Sequence, residues 1–132
     1  MKNLIATNKG KNEYYVVSSA TSNEEIGCHI YYPAQKELKK HGIPFDEEKR
    51  ARRITSNEYD SFDYFVVMDD YNAVNLMKIF NNNDIDGKIH KLTEFSGDNS
   101  DVADPWYSDR FDIAFDEIYR GCTAFYEFLE KM

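Results

Sequence analysis

Apolar residues fall along this chain in short runs and stripes whose spacing changes from segment to segment. Leu4 and Ile5 with the polar residues around them read as the last turns of a helix ending near Gly10. Lys9 and Lys11 suit a helix C-terminus, and glycine suits a left-handed exit. No Ser, Thr, Asp or Asn N-cap precedes those apolar residues. Tyr14 to Ser19 (Tyr-Tyr-Val-Val-Ser-Ser) is aromatic and β-branched, hence a strand. A polar loop over 20–32 follows. Pro33 opens a helix through Lys40, with Ala34 and Leu38 on its apolar edge and Gly42 just past its end. Ser56 is placed to cap a short turn over Asn57, Glu58 and Tyr59.

Phe62 to Met68 is nearly all apolar after Asp63, which marks a strand covered on both faces, as in a parallel sheet. Asp69 and Asp70 begin a helix through Phe80. Its buried stripe is read as Val74, Met77 and the neighbouring Leu76, and two acids at its start complement the helix dipole. Lys88 to Leu92 is a weaker strand, and 93–110 a polar loop. In the closing helix Phe115, Ile118, Cys122, Phe125 and Leu129 recur at steps of three and four, so Cys122 belongs to packing. Alternating strands and helices predict an α/β fold, a doubly wound parallel sheet with helices on both faces.

Composition narrows the function classes. The 132 residues suffice for one domain, 1–132, and at 42% hydrophobic and 15% aromatic the chain has the means to build a core. A net charge of −8 argues against broad binding to nucleic acid, and the basic run 49–53 directly follows three acids, Asp46, Glu47 and Glu48. Two isolated cysteines, Cys28 and Cys122, fit a reducing cytoplasm and have no metal-type spacing. No apolar stretch is long enough to span a membrane. Neither a cofactor nor a metal is expected.

Several segments together resemble the low-molecular-weight protein-tyrosine phosphatases. They are Ser18-Ser19-Ala20-Thr21-Ser22; Glu25-Ile26-Gly27 through Pro33-Ala34; His41-Gly42-Ile43; Ala51-Arg52-Arg53-Ile54-Thr55; and Phe62-Asp63-Tyr64 with Met68-Asp69 and Asn72. The most specific block is Asp101-Val102-Ala103-Asp104-Pro105-Trp106-Tyr107, followed by Phe111-Asp112 and Gly121-Cys122. The resemblance runs from about Leu4 to Leu129.

Catalysis of this type needs a thiolate to attack phosphorus, donors to hold the phosphoryl oxygens, and an acid to protonate the departing phenolate. In the family the first two reside in a Cys-x5-Arg-Ser/Thr loop at a helix N-terminus. No such spacing occurs here: Ala34 stands six residues after Cys28, and Phe128 six after Cys122. The nucleophile is therefore expected to be absent from these residues, along with the family's first strand. A chain that starts in mid-helix at a methionine is what a start codon placed too late would give. The resemblance makes Asp104 the general acid. Pro105 biases it away from helical dihedrals. Asp101, three residues earlier, is an alternative proton carrier, although the resemblance favours Asp104.

Trp106 and Tyr107 resemble the aromatic wall beside the phosphotyrosine ring, and Tyr31 and Tyr32 lie in the loop that forms the opposing wall. Asp69, Asn72 and Arg52 resemble positions that support the phosphate loop; without it, their charges face water or one another. The implied substrate is a phosphotyrosine protein or small aryl phosphate. An alternative is a non-catalytic binding protein that keeps the phosphatase shell; a relationship to arsenate reductases lacks the cysteine pair those enzymes need. In the family the first strand is central in a four-stranded sheet. Its loss would leave neighbours unpaired at about 1–3 kcal/mol per buried group, which predicts an unstable monomer unless another chain donates a strand.

Overall fold

A computed structural model describes residues 1–8, 10, 12–21, 27, 30–102 and 110–132. Helix α1 spans Lys2–Asn8, with Leu4 as its buried residue. Helix α2 spans Tyr32–Lys40 with proline in its first turn. It closes as a Schellman motif: Ile43 N–H donates to Leu38 O (3.0 Å) and Gly42 N–H to Lys39 O (3.1 Å). Gly42 takes φ +69°, which a side chain would oppose.

A 3-10 helix follows over Ser56–Ser61. Its N-cap is Thr55, not Ser56, because Thr55 and Glu58 form a capping box one residue earlier. Strand β1 is Phe65–Val67, shorter than the apolar run suggests. Helix α3 spans Asp70–Ile79 and strand β2 Ile89–Lys91. The two strands pair in parallel, Phe65 opposite Ile89 and Val67 opposite Lys91. A second 3-10 helix, Leu92–Ser96, occupies part of the expected polar loop and buries Leu92 and Thr93. Helix α4 runs Phe111–Glu130.

Tyr14–Ser19 forms no ladder among the described residues. Only Ala20 makes a bridge, to Arg53. β propensity makes a segment suited to pairing, but pairing also needs a neighbour in register, and among the described residues the sheet is two-stranded.

Ile54, Phe65, Val67, Leu76 and Phe80 form the buried core, with Tyr59, Phe62 and Ile89 packed on it. In α3 the inward residue is Leu76, 2% exposed, whereas Val74 is 52% exposed and does not join it. α4 packs on the 92–96 turn and touches α1 and α2. Its buried residues are Ala114, Gly121 and Tyr126. The expected stripe is only half covered because Phe115, Ile118 and Cys122 border a largely apolar cavity of about 780 Å³ between α1, α2 and α4. No helix among the described residues is long and apolar enough to cross a membrane.

Candidate active site

Parallel strands end together, so their carboxyl ends and the turns beyond them form one surface. β1 leads into Met68 and Asp69, and β2 ends at Lys91. Asp69 is extended, and its Oδ1 accepts the Asn72 N–H at 2.7 Å, capping α3. Asn72 Oδ1 in turn accepts the Met68 N–H at 3.3 Å. Asp69 and Asn72, two residues read as supports, are thus brought together by the Asn72 N–H donating to Asp69, while the Asn72 side chain holds Met68.

The chain returns to this surface at 100–102. Val102 is buried, and its N–H donates to Met68 O at 2.9 Å. Asp101 Oδ1 accepts the Asp70 N–H at 3.0 Å and the Lys91 ammonium at 3.1 Å. Lys91 also reaches Asp70 Oδ1 at 3.0 Å. Its pKa is raised, first by the hydrogen bond to Asp70 and then by that to Asp101. Thr93 Oγ1 closes the loop by donating to Ser100 O. Sequence reasoning missed Lys91; its signal is a cation at the end of a strand in an acidic chain. The same contacts engage Asp101 in anchoring, which leaves it poorly suited to carry a proton to a leaving group.

Asp104, Trp106 and Tyr107 lie outside the described residues, as do Cys28 and His29. The chain resumes at Arg110, whose guanidinium holds Asp112 at 3.2 Å. Tyr31, 47% exposed, places its ring 5.8 Å from Phe111, the first residue of α4. Tyr32 is exposed, with Lys36 Nζ 5.2 Å from its ring centroid. The described residues on either side of Asp104 are therefore Val102, at the sheet, and Arg110 with Phe111, beside Tyr31.

Arg52 faces Glu58 in a two-point contact, Nη2 to Oε1 at 2.9 Å and Nη1 to Oε2 at 3.3 Å. That fork, with the Thr55 N–H at 2.7 Å, lowers the Glu58 carboxyl to about 2. Cys122 is half-buried on α4 and borders the apolar cavity. Glu37, mostly buried at the same cavity, has no hydrogen bond to Oε1, and His41 Nε2 stands 3.7 Å away. The His41 ring stacks on Phe115 at 3.8 Å.

The family model described as low molecular weight phosphotyrosine protein phosphatase matches residues 1–132. The low molecular weight protein-tyrosine-phosphatase PtpA of Staphylococcus haemolyticus is 34% identical over 117 residues, 88% of this chain and 73% of that protein. A low molecular weight phosphotyrosine protein phosphatase of Gallus gallus is 32% identical over 130 residues, 96% of this chain and 81% of that protein. Among solved structures, YfkJ from Bacillus subtilis superimposes with a TM-score of 0.90 at 26% identity, covering 98% of this chain and 82% of that one. SP-PTP, a low molecular weight protein tyrosine phosphatase from Streptococcus pyogenes, gives 0.75 at 33% identity, covering 85% and 71%. These matches, with the parallel strands and the returning 100–102 segment, establish that the chain is α/β and belongs to the low molecular weight phosphotyrosine protein phosphatase family.

Proposed function

We propose that this chain is the shell of a phosphatase for phosphotyrosine proteins or small aryl phosphates, in which Asp104 is the general acid. The observation that carries the reading is the anchoring of Asp101 and Val102 at the carboxyl end of β1, two residues before Asp104. An acid must be held near the leaving oxygen, and proton donation of this kind contributes about 10²–10⁴-fold. Trp106 and Tyr107, with Tyr31 and Tyr32, would supply apolar ring surface for an aryl group. Asp69, Asn72 and Arg52 are the supports for a phosphate-binding loop. With a Cys-x5-Arg loop joined to it, the shell would cleave the ester through a cysteinyl-phosphate. The thiolate forms the S–P bond as the O–P bond breaks, Asp104 protonates the phenolate, and water then releases phosphate. A cytoplasmic setting suits its two isolated thiols.

These 132 residues contain no Cys-x5-Arg, so the polypeptide by itself is read as inactive. The test is hydrolysis of p-nitrophenyl phosphate by the purified chain, expected at background. Turnover that survives Cys28→Ser with Cys122→Ser would overturn the reading. The same missing motif favours a second reading, a non-catalytic binding protein with the phosphatase shell. Saturable binding of phosphotyrosine without turnover, lost on truncation of Trp106 and Tyr107, would support it.

A further inference from the structure

Helix α2 sorts its residues by charge as well as by burial. Ala34, Glu37 and Leu38 border the apolar cavity, and the His41 ring just past the helix stacks on Phe115 of α4. That fixes one face of the helix inward. Lys36, Lys39 and Lys40 fall on the opposite face at the helical period, and all three are exposed. Glu37, the carboxylate of this helix, is 12% exposed and turned to the cavity side, where His41 stands beside it. Among the described residues none of the three lysines joins an ion pair.

Residues 36–53 carry seven Lys and Arg against four acids, whereas the rest of the chain carries nine against twenty. The positive charge of an acidic protein is therefore gathered here. The helix dipole accounts for Lys39 and Lys40, which lie in the last turn. It does not account for Lys36, a turn earlier, whose charge repels both at steps of three and four. Lys36 Nζ stands 5.2 Å from the ring centroid of Tyr32, at the start of the helix. The adjoining Tyr31 ring lies 5.8 Å from Phe111. Arg50, from the same basic stretch, donates to Gly27 O at 2.8 Å and so ties that stretch to the chain ahead of Tyr31.

We propose that this face of α2 reads acidic residues beside a phosphotyrosine, so that the preferred substrate class is an acidic phosphopeptide. The inference rests on the phosphatase reading in one respect, that an aryl phosphate sits against Tyr31 and Tyr32. From Tyr32 the helix carries Lys36 about 6 Å, and Lys40 about 12 Å, along its axis. An extended peptide advances about 3.3 Å per residue, so residues about two to four positions from the phosphotyrosine come beside the ammonium groups. Exposed ion pairs are individually weak, and three together give selection and steering rather than anchoring.

The test uses the intact 132-residue chain, isotope-labelled, and the peptide acetyl-Asp-Glu-Glu-Ala-phosphotyrosine-Ala-Glu-Glu-Asp-amide. Its isostere carries Asn and Gln in place of Asp and Glu. At low ionic strength the acidic peptide is expected to bind about tenfold more tightly and to shift the amide resonances of Lys36, Lys39 and Lys40; about 0.5 M salt should remove the difference. Lys36→Gln with Lys39→Gln and Lys40→Gln should bring the acidic peptide down to the affinity of its isostere, while Lys78→Gln with Lys131→Gln should not. Equal affinity of the two peptides overturns the proposal, as does a difference that survives loss of the three lysines. Tighter binding of an oligothymidylate of matched charge overturns it in favour of a general polyanion surface. The same peptides with plain tyrosine tell the two readings apart. An acidic preference that needs the lysines but ignores the phosphate upholds the α2 surface and counts against the phosphatase reading alone.

Discussion

The ammonium of Lys91 lies 3.1 Å from Oδ1 of Asp101, and that contact ties the chain just ahead of Asp104 to the end of β2. Asp101 holds Asp70 N–H with the same oxygen, so strand end, helix start and loop meet at one carboxylate. Lys91→Met should release the loop while keeping most of the side-chain volume. The expected result is faster exchange at the amides of Asp70 and Val102 with that of Leu76 unchanged. The sign of the pH effect follows from a raised pKa on a cation. The stabilisation is complete below the ordinary lysine value of 10.5 and is lost as pH rises through the higher folded value. A wild-type melting temperature that falls in that alkaline range more steeply than that of Lys91→Met would show it.

Glu58 gives the opposite sign. Its carboxyl is lowered to about 2 by the Arg52 fork and the Thr55 N–H. The stabilisation is therefore complete above the ordinary value of 4.5 and fades as pH falls through about 2. Arg52 is 46% exposed, so solvent screens the pair and the effect is small. Glu58→Gln keeps an acceptor for the Thr55 N–H and removes only the charge, so it should cost about 0.2–1 kcal/mol at neutral pH, as for an exposed ion pair, and flatten the stability curve between pH 4.5 and 2. Equal acid slopes in the two proteins would rule this out.

The local signals were readable because each is written in adjacent residues. Pro33 and Gly42 bracket α2, Asp69 caps α3, and the Phe65–Val67 run gives β1. What stayed hidden depends on distant partners. Tyr14–Ser19 has strand composition, yet pairing also needs a neighbour in register, which the run itself does not specify. Val74 and Leu76 are both apolar, and only the position of the sheet makes Leu76 the buried one. Thr55 displaces Ser56 as cap because Arg52 fixes Glu58. Nothing local connects Lys91 to Asp101, ten residues apart and on different elements. The family motifs singled out Asp69 and Asn72, which the fold brings together, while giving no hint of the lysine beside them.

Gly121 sits where α4 crosses Leu92. A Cβ there would stand 2.5 Å from Leu92 Cγ, and Leu92 is itself buried at 2% exposure. Alanine gains up to about 1 kcal/mol of helix propensity over glycine, but overpacking a filled core costs about 1–3 kcal/mol. Gly121→Ala should therefore destabilise the chain in urea unfolding, and Leu92→Ala should give less than its additive loss in that background. A higher denaturation midpoint for Gly121→Ala would remove the close approach as an explanation for the glycine.

The acid assignment separates from the anchor assignment by leaving group. In a protein made by joining a Cys-x5-Arg strand-and-loop segment to this shell, Asp104→Asn should lower kcat on phenyl phosphate by about 10²–10⁴-fold. The loss should shrink on p-nitrophenyl phosphate, because a more stable phenolate needs less help from a proton. Asp101→Asn weakens the Lys91 contact but leaves the proton donor in place. It should therefore lower kcat on both esters by a similar, smaller factor. If instead Asp101→Asn shows the leaving-group dependence and Asp104→Asn does not, the roles are reversed and the Lys91 ion pair must open during turnover.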